Sequence, residues 1–188
     1  MKETVLIKNR KSKKVFSLLE LLLVLGIIAA LVVAAFIVYP KVQASQRAQA
    51  QSNNIATIQA RVKALYTSTS SFTGFTNTVA VQAKIFPDNM LSGSGSAAKP
   101  VNVFKGDVTL AVVAMGPSKA PGSSFTITYS NVPAAECTKI ITAAGNIYEV
   151  GVGTAANVKP AGDVLDVSKT ATQCAAGGNS NTLIFTSI

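Results

Sequence analysis

Residues 15–39 read VFSLLELLLVLGIIAALVVAAFIVY, a run that is apolar except for Ser17, Glu20 and Gly26. Residues 21–39 alone supply 19 positions, about 28 Å of helix at 1.5 Å per residue, against a hydrocarbon core of roughly 30 Å. The pattern predicts one membrane span with a carboxylate near one end. An acid inside a span costs roughly 2.5–3.5 kcal/mol on insertion scales. The run holds no cation to offset it, so the partner of Glu20 is expected on another molecule. Pro40 is expected to end or kink the span.

Beyond Pro40 the pattern changes. The stretch KVQASQRAQAQSNNIATIQARVKALY favours helix to about residue 66. Ile55, Ile58, Val62 and Leu65 recur at helical spacing and form a docking stripe. Residues 43–54 have almost no large apolar side chain and read as a polar bridge. Were residues 16–66 one straight helix, it would be about 75 Å long. A single small domain cannot bury such a helix, so its first half requires lipid or other copies. Residues 67–77 form a polar turn region, and 78–86 a short helix closed by Pro87. A Gly/Ser loop runs to Pro100. Strands are expected at 101–104, 108–115 and 124–131, the last (SFTITYSN) alternating cleanly, with a tight turn at 105–107. Pro133 opens a helix and Gly145 closes it. A strand at 147–152, a short helix at 169–176 and a final strand at 181–188 complete the chain. The expected class is α+β: a long N-terminal helix on a C-terminal antiparallel sheet.

Charge fixes the topology. Residues 1–15 hold six basic side chains and one acid, and basic residues beside a span stay in the cytoplasm. The rest of the chain is therefore expected outside. A cleaved secretory signal would have a shorter apolar core and a small-residue site after it; here Ala34-Ala35-Phe36 lies inside the run. The whole chain has 17 Lys+Arg and 8 Asp+Glu, a net of +9. Without the leader, 11 basic and 7 acidic residues leave +4, so the basicity is mostly topogenic and argues against a nucleic-acid partner. Residues 40–188, 149 in all, suffice for one domain with its own core. Cys137 and Cys174 are the two cysteines; in an exported domain they read as one disulfide, the alternative being two separate buried thiols.

The segment KKVFSLLELLLVLGIIAAL resembles the start of type IV prepilins. That resemblance implies a short basic leader (1–15) cut between Val15 and Phe16. An aspartyl prepilin peptidase in the membrane makes the cut and methylates the new amine of Phe16. It also implies that Glu20, four residues on, faces the amine of a neighbouring subunit, where low dielectric strengthens the pair. Val15 stands where the family favours glycine. The C-terminal part resembles type IVb pilins, such as the major pilins of bundle-forming and conjugative thin pili. It has an IPxxM-like element (Ile85, Pro87, Met90), an Asn-x-aromatic-x-Gly element (Asn102, Phe104, Gly106), and a helix bearing the first cysteine. The implied organisation is leader 1–15, filament-core half-helix 16–40, second half-helix 41–66 and head 67–188. The implied partners are further copies in a helical filament, the prepilin peptidase, the cytoplasmic membrane and, indirectly, the assembly platform and its ATPase.

No catalytic constellation is legible. Histidine is absent, and there is no CxxC, P-loop or GxGxxG. Gly151-Val152-Gly153 reads as a loop after a strand. Asp163, Asp166 and Glu149 read as solvated acids rather than a calcium site. Lys139, Lys159 and Lys169 could form a basic patch, but the aromatics that stack bases are sparse. No cofactor and no metal is expected. The leading expectation is a non-enzymatic pilus subunit whose small residues Gly26, Ala29, Ala30, Ala34 and Ala35 let helices approach closely. The alternatives are a pseudopilin of a type II secretion system and a single-span anchored binding domain.

Overall fold

The computed structural model of the chain describes residues 17–95, 98–144, 147–153 and 156–188. The expected leader, the Val15–Phe16 cleavage site and the helix stop at Gly145 lie outside them. Two compact units emerge, residues 1–41 and 42–188.

In the first unit, helix α1 (Leu18–Leu65) begins, and Pro40 lies inside it without ending it. Proline lacks the N–H that would bond the carbonyl four residues back, yet the helical assignment continues to Leu65. The described residues of this unit are all exposed, including Leu18, Phe36 and Tyr39.

The second unit is built on a five-stranded antiparallel sheet of β3 (Val108–Val113), β4 (Ser124–Val132), β5 (Glu149–Val152), β6 (Ala156–Lys159) and β7 (Asn181–Ser187). The spatial order is β3-β4-β7-β5-β6. Strand alternation sends Phe125, Ile127, Tyr129, Leu183, Phe185 and Val150 to one face, where they are buried. Ile55, Ile58 and Val62 of α1 belong to the same core. The docking face starts earlier than the apolar stripe suggested: Ala48, Gln51 and Ser52 are buried too. At the other end, Leu65 is 45% exposed and leaves the expected stripe. The small side chains of Ala48 and Ser52 allow the close approach, so 43–54 is docked rather than bridging.

Helix α2 (Asn77–Gln82) is shorter than expected and is capped by the Thr76 hydroxyl, which accepts from the Val79 N–H. A 3₁₀ turn (Asp88–Met90) follows, and then β1 (Leu91–Ser92) pairs with β2 (Lys99–Pro100), so the Gly/Ser loop has strands at both ends. Asn77 also closes part of the β3 edge. Its amide donates to the Val108 carbonyl at 3.3 Å and accepts from the Leu110 N–H at 2.7 Å, occupying groups that an edge strand otherwise leaves open.

Residues 101–104 are not the expected strand. The Asn102 side-chain carbonyl accepts from the N–H groups of Phe104 and Gly106, both at 2.9 Å, and its amide donates to Ser130 at 2.7 Å. A side chain that organises its own loop competes with strand pairing. A Cβ on Gly106 would collide with the Ser130 carbonyl, which accounts for the glycine of that element. Helix α3 (Ala134–Ala143) and helix α4 (Val167–Ala176) fall where expected. Asp166 caps α4 by accepting from the Lys169 N–H. The β6 strand was not expected.

Among the described residues, side-chain polar atoms of Gln51 and Asn54 are buried without a hydrogen-bond partner. Gln51 is fully buried, and neither its amide nitrogen nor its oxygen has a hydrogen-bond partner. An unsatisfied buried polar group costs about 1–3 kcal/mol. Gln51→Leu is therefore expected to raise unfolding stability by about that amount, read as a higher denaturant midpoint with an unchanged slope; a lower midpoint would show that the amide is satisfied after all.

Candidate functional site

The candidate assembly element is the first half of α1. Glu20 sits in its first turn, where the aligned N–H groups favour negative charge. It is exposed, as are the apolar residues around it. An 18-residue window of α1 reaches a mean hydropathy of 3.3, with none of it buried. This segment is long and apolar enough to cross a membrane. The chain itself offers nothing described that covers it.

The second half of α1 is fastened to the head by polar contacts as well as by its core face. The Arg61 guanidinium donates to the carbonyls of Lys84, Ile85 and Phe86 at 3.0–3.4 Å, just past α2. Gln59 donates to the Ser187 hydroxyl at 2.8 Å, and Lys139 to the Ser45 hydroxyl at 2.9 Å. Below the helix, Tyr66, Phe72, Phe75 and Phe125 form a chain of ring contacts with centroids 4.9–6.2 Å apart. Such tilted and edge-to-face pairs add to area burial. Ile85 and Met90 of the IPxxM-like element are core residues. The buried Tyr129 hydroxyl donates to the Met90 sulfur at 3.8 Å, and burial pushes its pKa well above the usual tyrosine range.

Cys137 of α3 and Cys174 of α4 form a disulfide with Cα atoms 5.8 Å apart, within the usual span for such a bond. The two sulfurs are buried. Asn181 secures the same corner: its amide donates to the carbonyls of Val132, Cys174 and Gly178 at 3.0–3.1 Å. Sequence reasoning missed this residue, because nothing marks an asparagine at a strand start as a junction.

The acids considered for calcium are each used locally. Asp163 accepts from the Val164 N–H and Asp166 caps α4, while Glu149 accepts from the Asn157 amide. Among the described residues no three carboxylates converge on a metal position. Of the three lysines, Lys139 bonds Ser45 and Lys159 donates to the Ile147 carbonyl. Gly151 and Val152 end a strand, and Gly153 turns out of it with φ +67°.

Comparison with known proteins agrees with this architecture. The family model described as PilS N terminal matches residues 45–188, which begins close to where α1 becomes buried. The chain belongs to that family. Among solved structures it is similar to the type IVb pilin of Salmonella typhi, at 18% identity and a TM-score of 0.54, covering 71% of this chain and 95% of that one. It is also similar to TcpA, a type IV pilin of Vibrio cholerae El Tor, at 14% identity and a TM-score of 0.50, covering 78% and 99%. Those likenesses establish a type IV pilin fold. Among curated proteins, none matches the sequence.

Proposed function

We propose that this chain is the structural subunit of a type IV pilus, held in the cytoplasmic membrane by residues 16–40 with its head outside and then assembled into a surface filament. One observation carries the reading. A pilin-fold head is joined to an apolar half-helix whose side chains are all exposed and whose only charge is Glu20. Leaving lipid removes the favourable surroundings of that half-helix, and packing against other copies replaces them. The role is structural rather than catalytic.

The basic leader, residues 1–15, is removed by prepilin peptidase between Val15 and Phe16, and the freed amine is methylated. Glu20 of one copy then pairs with that amine on its neighbour. The contact is head-to-tail and does not close, so it propagates. After Pro40 the core half (16–40) gives way to the half docked on the head (41–66), which 67–188 completes.

Intact mass and N-terminal sequencing of filaments sheared from cells test this. The expected subunit starts at N-methylated Phe16; filaments built from chains that still carry Met1 would refute the processing step. Electron microscopy separates the pilus from the secretion pseudopilus, which would leave no long surface filaments and would be needed for enzyme export.

A further inference from the structure

Strands β3 and β6 are the outer strands of the sheet. An outer strand leaves the N–H and carbonyl of every second residue without a ladder partner. On β6 the Val158 carbonyl accepts from the Asp166 N–H at 2.9 Å, and Lys159 puts a charge on the strand. On β3 and its flanks the carbonyls of Asp107, Ala111 and Val113 turn toward β4, where they accept from the hydroxyls of Ser130, Thr126 and Ser124. The Met115 N–H turns the same way and donates to Ser124. The main-chain groups of Val108, Leu110, Val112 and Ala114 therefore point outward. Asn77 engages the Val108 carbonyl and the Leu110 N–H. Among the described residues, nothing engages the Leu110 carbonyl or either group of Val112 and Ala114. Residues 108–115 hold no charge and no proline, the residues that usually guard such an edge.

This open run is complementary to itself. With two β3 strands laid antiparallel and Val112 opposite Val112, the two valines exchange both N–H···O bonds. Each Ala114 N–H then meets the Leu110 carbonyl of the other strand. The Leu110 N–H is already taken by Asn77, so only the Ala114 carbonyl stays in water. The chain itself bounds the run at both ends: Asn77 fills the positions before it, and Gly116 turns away at φ +97° with Pro117 behind. Between these bonds Ala111 of one copy faces Val113 of the other, a small apolar side chain against a β-branched one. Ala111 and Ala114 are exposed and Val113 is half-buried, so pairing also covers apolar surface. The contact is isologous, with a two-fold axis across the strands. Its direction follows from the fold. Phe125 at the start of β4 meets Phe72 and Phe75, which meet Tyr66 just past the end of α1. At the other end β4 leads into α3, whose Lys139 reaches Ser45. Strand β4 thus runs against the docked half of α1, and β3, antiparallel to β4, runs with it. Antiparallel β3 strands set the docked helices of the two copies in opposite senses. Copies that repeat head-to-tail in one filament all run the same way, so this contact joins two filaments.

We propose that the β3 edge pairs copies in filaments that run in opposite directions, with Val112 opposite Val112. The inference rests on the pilus reading. One such contact is small, but a filament repeats it, and linked contacts hold far better than one alone. Filaments of Ala111→Cys chains mixed with filaments of Val113→Cys chains and then oxidised should give a dimer joined through positions 111 and 113. Neither kind alone should give it, because like positions lie diagonally across the contact, about 7–8 Å apart, beyond the span of a disulfide. Ala111→Lys should cut the fraction of filaments seen in lateral pairs about tenfold or more. Ala111→Glu should do the same, and mixing the two kinds of filament should restore pairing. Lateral pairs that survive Ala111→Lys unchanged would overturn the inference. So would paired filaments without a link between positions 111 and 113, which would put the contact elsewhere. Unaltered filaments that never pair would overturn it and leave the pilus reading standing. A lack of any filaments from the unaltered chain would overturn that reading, and this inference with it.

Discussion

Glu20→Ala chains are expected to enter the membrane at least as well as the unaltered protein and to give no ordered filaments. The two effects have opposite signs. Removing a carboxylate from an apolar span lowers its insertion cost by roughly 2.5–3.5 kcal/mol. On the proposed pairing, removing it from the filament leaves the neighbour's amine unpaired in an apolar core, where a charge pair at 4 Å contributes about 4 kcal/mol at an effective dielectric near 20. Membrane fractionation reads the first effect and electron microscopy of sheared filaments the second. Straight, abundant filaments from this variant would sink the pairing mechanism while leaving the fold untouched.

Loss of the Cys137–Cys174 bond is expected to cost about 4 kcal/mol, from the loop entropy of the 37-residue separation. Small domains have only 5–15 kcal/mol in total. For a chain of this size, 4 kcal/mol corresponds to a fall in Tm of about 8–16 °C. Calorimetry of the detergent-solubilised protein with both cysteines changed to alanine measures it. A midpoint within about 2 °C of the unaltered protein would mean that the α3–α4 packing, and Asn181 with it, holds the corner without the bond.

Much of this was legible because single residue types carried it. The apolar run is long and holds one charge. Strands β4 and β7 alternate visibly, and two cysteines allow only one pairing. What stayed hidden depends on neighbours distant in sequence. Asn102 turns a strand-like VNVF into a loop because Ser130 is within reach of its amide. Strand β6 has one large apolar residue, Val158, and becomes a strand only because β5 offers it an edge. The docking face of α1 begins at Ala48 rather than Ile55, since alanine and serine pack closely where no apolar stripe advertises it. Hydropathy would place Gln51 at the surface; the surrounding fold buries it regardless.

The sheet order has a consequence for how the head is born. Strand β7, which follows the other four strands of the sheet in sequence, pairs with both β4 and β5. Until it arrives, the domain is two separate hairpins with open inner edges, and no contiguous sheet exists for α1 to cover. Both cysteines precede β7, so the disulfide can close around β5 and β6 while the gap is still empty. The nascent head is therefore a slot awaiting the seven residues of β7, and completion of the sheet is timed by the arrival of that strand.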